Sequence, residues 1–151
     1  MRRFHFLTAI VLLSGLAGCG GDGLKRVPVQ GKLTSRGQPL DNTEVQFFPT
    51  GATPGEGGTG RSDDGGNFTL VSSRAGNTGI TPGEYKVRVS RLVTADGKPL
   101  PADAKQADHP DARESIPGLY TSLENTPLTV KVPETGGEVP IDIPAKVLGR
   151  K

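Results

Sequence analysis

A chain of 151 residues with 33% apolar side chains, 22 glycines, 13 prolines and no tryptophan has room for one modest domain with a small core. One cysteine excludes an internal disulfide, and two histidines exclude His-cluster and Cys/His zinc sites. The formal charge of +2 is carried by Arg2 and Arg3, and the rest of the chain is balanced, which argues against nucleic acid or a polybasic membrane patch as partner.

The chain opens with two arginines, an apolar run from Phe4 to Leu13 and a stretch of small residues ending at Cys19, the layout of a secretory signal over residues 1–18. The run is far short of the roughly 20 residues that a bilayer-spanning helix needs. Leu16, Ala17, Gly18 and Cys19 resemble the bacterial lipobox. That resemblance implies cleavage before Cys19, a diacylglycerol thioether on its sulfur and acylation of its new amino group, a durable anchor where a single chain would be marginal. The alternative is an ordinary signal peptide followed by an incidental cysteine. Gly20, where inner-membrane lipoproteins tend to carry Asp, favours the outer membrane in a cell that has one, on its periplasmic or surface face. Residues 19–26 then read as the lipidated cysteine and a flexible tether.

From Val27 the apolar residues recur at every second position, in short runs separated by Gly, Pro, Asn and Asp. This is the pattern of half-buried strands. The runs are Val27 to Leu33, Val45 and Phe47, Phe68 and Leu70, Tyr85 to Val89, Leu128 to Val132, and Val139 to Ile143. A turn is predicted at residues 35–40 and another at 62–67, and Pro133 to Glu138 is expected to join the last two strands as a tight hairpin. Residues 50–59 read as a Gly-rich loop. Residues 94–117 form an insertion too long for a passive connection, with a short helical turn around Ala102 to Ala107. The segments Gly37 to Leu40 and Gly97 to Leu100 echo each other and are read as shared turn chemistry.

The series Val29, Gly31, Leu33, then Gly37, Pro39, Leu40, then Val45, Phe47, Phe48, Pro49, then Asp64, Gly65, Phe68, then Gly83, Tyr85, Val87 resembles the carboxypeptidase regulatory-like, or transthyretin-like, domains of small bacterial lipoproteins. The resemblance covers residues 27–144, with 145–151 as a C-terminal tail. It implies an all-β fold: a single Greek-key transthyretin-like or immunoglobulin-like β-sandwich of about seven strands, without catalysis of its own. Tyr85 reads as a core ring with its hydroxyl at the rim.

No catalytic constellation emerges. After removal of the signal, His109 is the one imidazole, flanked by Asp108 and Asp111; a solvated histidine in an acidic loop is the plainer account. Related hydrolases and dioxygenases of this fold type depend on several histidines. Asp63, Asp64 and Asn67 could offer oxygen ligands to calcium, but their spacing reads better as a turn. The chain is therefore expected to be a non-catalytic, membrane-anchored envelope lipoprotein that serves as a structural or protein-interaction module. The alternative is a carbohydrate- or calcium-dependent ligand-binding module. No resident cofactor or metal is expected beyond the lipid on Cys19. An envelope protein or glycan is the expected partner, and the contact surface is placed on the long loop at Arg91, His109, Arg113 and Tyr120, against the alternative of a variable loop with no partner.

Overall fold

The computed structural model describes residues 22–74 and 78–147. Leu16, Ala17, Gly18 and Cys19 lie outside the described residues. The fold is all-β, built from several sheets whose strands pair mainly antiparallel.

Alternating burial along β1 (Val29–Ser35) turns Val29, Leu33 and Ser35 inward and leaves Gln30 and Lys32 exposed, as a two-residue side-chain period requires. A turn through Arg36 and Gly37, both at positive φ, brings β2 (Gln38–Pro39) back against β1. β3 (Glu44–Pro49) follows, inward at Val45 and Phe47, and pairs with β4 (Gly58–Arg61). β5 (Asn67–Thr69) then returns to β1, and after Leu70 the same segment leaves for β4 as β6 (Val71–Ser72). Leu70 is thus a corner at which one strand changes sheets. β7 (Gly83–Ser90) lies between β3 and β10 (Thr129–Val132), while β8 (Leu92–Val93) pairs with β9 (Arg113–Glu114). A single helical turn, α1 (Gly118–Thr121), precedes β10. β11 (Gly137–Glu138) and β12 (Ile141–Ile143) close the fold by running parallel to β1.

One sheet therefore centres on β1, with β11 and β12 along one edge and β5 and β2 along the other; the second has the order β10-β7-β3-β4-β6. Their inner side chains merge into one cluster. Phe68 of the first sheet packs tilted on Phe47 of the second at 6.3 Å, and Phe47 on Tyr85 at 5.8 Å, so three rings tie the sheets together.

All six apolar runs form strands, and more strands form than the pattern announces. β4 carries no apolar alternation because its inward positions are glycines at close approaches. A Cβ on Gly58 would lie 2.5 Å from Ile80 Cγ2, and one on Gly60 2.5 Å from the Thr69 carbonyl oxygen. The expected loop at 50–59 thus ends two residues early. The expected hairpin at 133–138 needs correction. Its turn is present, with the Gly136 N–H donating to the Pro133 carbonyl at 2.9 Å, but β10 belongs to the second sheet and β11 to the first. Val132 and Val139 are both buried, facing one core from opposite sides, and local turn chemistry does not distinguish that from side-by-side pairing. Within the insertion, the helical turn appears as a 3-10 turn at Gln106–Asp108.

The registers define two ends. β1 begins beside Gly137, β7 begins beside Val132 and β3 finishes beside Tyr85, so residues 22–28, 50–57, 78–84 and 133–136 gather at an N-terminal end. Residues 36–43, 62–66 and 91–117 gather at the opposite, loop end.

Candidate functional site

At the loop end, Arg91 continues the inward phase of Tyr85, Val87 and Val89 and is 2% exposed. A buried guanidinium requires an anionic partner and filled hydrogen bonds. Asp41 supplies both: Arg91 Nε donates to its carbonyl at 2.9 Å and Nη2 to its Oδ1 at 2.8 Å. The insertion is fastened around this pair. Glu114 accepts the backbone N–H groups of Arg91 and Ile116 through Oε1 and the Ser90 hydroxyl through Oε2. The Ser115 hydroxyl donates to the Arg91 carbonyl at 2.7 Å, and Asn42 Nδ2 donates to the Leu100 carbonyl at 2.8 Å. Leu100 and Val93 are buried beneath the loop.

The two echoing segments do share a geometry. The Leu40 N–H donates to the Leu33 carbonyl and the Leu100 N–H to the Leu92 carbonyl, so each G-x-P-L ends a return turn on a buried leucine.

The four residues assigned to the contact surface separate. Arg113 is exposed and His109 half-buried, whereas Arg91 and Tyr120 are buried and hold the loop's frame rather than its surface. For Arg91 the inward strand phase was the available signal. Tyr120 is carried into the same core as Ile116 by the single turn of α1, which no strand pattern announces. Asp41, Glu114 and Ser115 were missed; a cation in an inward phase is the clue that such partners exist.

The N-terminal end is fastened with neutral groups. The Tyr85 hydroxyl donates to the Thr81 carbonyl at 2.6 Å, and the Thr81 hydroxyl donates to the Pro54 carbonyl at 2.6 Å. Burial pushes the Tyr85 phenol above its usual pKa. Thr53 Oγ1 accepts the Glu84 N–H at 2.8 Å, and the Thr50 N–H donates to the Glu84 carbonyl at 2.9 Å. The Gly-rich loop is therefore bound down along its length. Residues 22–26, expected to be flexible, also lie on the domain: Asp22 is gripped by Arg26 through both carboxylate oxygens and by Arg74 Nη1 at 3.3 Å. The hydrogen bonds from Arg26, with that from the Leu24 N–H, hold its carboxyl well below the usual aspartate range.

An open polar groove of ≈ 570 Å³ runs over β1, β5 and β11, lined by Gln30, Arg61, Asp63, Asn67, Thr69 and Glu138. Asp63 Oδ1 already accepts the Gly65 and Asn67 N–H groups at 2.9 and 2.8 Å, which lowers its pKa and makes it the organiser of its own turn. Among the described residues, no three His, Cys, Asp or Glu gather where they could hold a metal ion, and no helix is long and apolar enough to cross a membrane.

No protein-family model matches this chain, and neither does any curated protein or solved structure.

Proposed function

We propose that this protein is a non-catalytic envelope lipoprotein, anchored through lipid on Cys19, whose domain is a Greek-key sandwich of the transthyretin-like kind and acts as a protein-interaction module through its 94–117 loop. The observation that carries the interaction reading is the fastening of that loop. A polar insertion with no partner has no need of a 2%-exposed arginine paired to Asp41 and a glutamate bridging three donors at its base. A rigid base under an exposed crest is the arrangement by which scaffolds present contact loops. Arg113, the first residue of β9, is exposed, and His109 is half-buried.

Two measurements test the reading. Intact mass of the protein purified in mild detergent from its own cells should equal residues 19–151 plus acyl chains, and Cys19→Ala should remove the increment. Replacing residues 101–112 by a short Gly-Ser linker should release any co-purifying protein while leaving the thermal transition in place. An unmodified mass, or a partner retained by the loop-less chain, would refute the anchor and the contact loop respectively.

A second reading, a carbohydrate-binding module, draws on the ≈ 570 Å³ groove with its Arg61, Asp63, Asn67 and Glu138 lining. Glycan-array binding that is lost on Arg61→Ala would favour it over the loop.

A further inference from the structure

Asp22 stands three residues beyond Cys19 and is already part of the folded domain. Its side chain is 19% exposed, held by Arg26 on its own segment and by Arg74, 52 residues away in the chain. The Leu24 N–H donates to the same carboxylate at 3.1 Å. The Leu24 side chain lies over the 50–57 loop, where a Cβ on Gly55 would meet its Cδ1 at 3.4 Å. Asp22 and Leu24 together tie the first described residues to the body of the domain, and two residues of sequence, Gly20 and Gly21, separate Asp22 from Cys19.

Three residues fully extended span at most about 11 Å. A lipid-linked cysteine lies at the headgroup level, so a domain fastened at Asp22 has no length of chain with which to stand off or tumble freely. Resting on the lipid anchor proposed above, we infer that the N-terminal end of the domain is held face-on against the lipid headgroups, with the 94–117 loop presented on the side away from the bilayer. The surface turned to the lipid carries Lys25, Glu56, Arg74 and Glu134 among exposed Ala52 and Thr135. Lys25 and Glu134 lie 3.7 Å apart. Mixed charge, with no large apolar patch among the described residues, gives little pull of its own toward anionic or zwitterionic lipid, so the short link does the orienting. β1 alone, seven residues at about 3.3 Å each, sets the loop end roughly 23 Å further from the membrane.

The test uses the full-length lipidated protein in phosphatidylethanolamine–phosphatidylglycerol vesicles containing a nitroxide-headgroup lipid. A thiol-reactive fluorophore is attached at Ala52→Cys, Thr135→Cys or Lys105→Cys, one at a time; the thioether on Cys19 leaves the introduced thiol as the reactive one. The labels at positions 52 and 135 should lose most of their emission and the label at 105 should keep it. Equal quenching at both ends, or stronger quenching at 105, would overturn the inference. Inserting a flexible Gly-Ser stretch of about 20 residues between Gly21 and Asp22, roughly 25 Å in mean span, should erase the contrast. A contrast that survived the insertion would overturn the claim that the short link sets the orientation. Intact mass separates the two levels: acylated protein with equal quenching refutes this inference alone, while unacylated protein refutes the anchor beneath it.

Discussion

The two ends of the domain are fastened by different chemistry. The loop end concentrates its hold in one ion pair, the buried Arg91 with Asp41, and in the carboxylate of Glu114. The N-terminal end spreads its hold over hydroxyls and carbonyls, Tyr85 to Thr81 to Pro54 and Thr53 with Glu84, with the Asp22 clamp outside. A concentrated hold fails when one residue is lost, because the buried Arg91 carries both bonds to the half-buried Asp41. A distributed hold fails gradually, each neutral bond being worth about 1 kcal/mol. The exposed crest of the loop is thus the region most dependent on a single side chain.

The contrast can be broken first at a glycine. Gly57, at the N-terminal end, has φ +76, and a Cβ there would sit 1.9 Å from the Phe47 carbonyl oxygen. Gly57→Ala should cost about 4 kcal/mol from overpacking and backbone strain combined, read as a drop in the urea midpoint. Gly37, at the loop end, has φ +74 but open space around it, so Gly37→Ala should cost only about 1 kcal/mol. Next comes Arg91→Ala. It should destabilise by about 2 kcal/mol and, in native-state hydrogen exchange, strip protection from the Leu100 and Ser115 amides before the rest of the domain. Uniform loss across both ends would show that the loop is not an independently latched unit. At the N-terminal end, Tyr85→Phe should cost about 1 kcal/mol and leave loop-end exchange unchanged.

The smallest effect concerns pH. Asp63 and Asp142 both have lowered carboxyl pKa values: Asp63 chiefly through the Asn67 N–H, Asp142 chiefly through the Thr34 hydroxyl and then the Gly37 N–H. A lowered folded-state pKa contributes stability that is present above the ordinary aspartate range and is lost as pH falls below it. The urea midpoint should therefore fall on acidification, and Asp63→Asn with Asp142→Asn should flatten that slope while shifting the neutral-pH midpoint slightly. A slope unchanged in the double variant would place the acid sensitivity elsewhere.

Strand positions were legible wherever the inward residues were apolar, as in β1, β3, β7 and β12. They were hidden where the inward residues were glycines, as in β4, because close backbone approach leaves no hydrophobic trace. Sheet membership was hidden as well, since Pro133 to Gly136 make a sound turn whether the flanking strands pair or face each other. In the loop, charge counted toward the surface until packing was known, and so Arg91 was misplaced. Its inward phase outweighed its charge because Asp41 and Ser115 were there to receive it.

The pairing of the first strand with the last carries a consequence for the chain's birth. Thr34 meets Asp142 across 108 residues of sequence, and β1 has no permanent neighbour on that edge until β11 and β12 exist. Contacts of such separation form late, after loop closure has been met by nearly the whole polypeptide. A chain lacking residues 137–143 is left with an open edge on β1, so the first strand is completed only when β11 and β12 arrive.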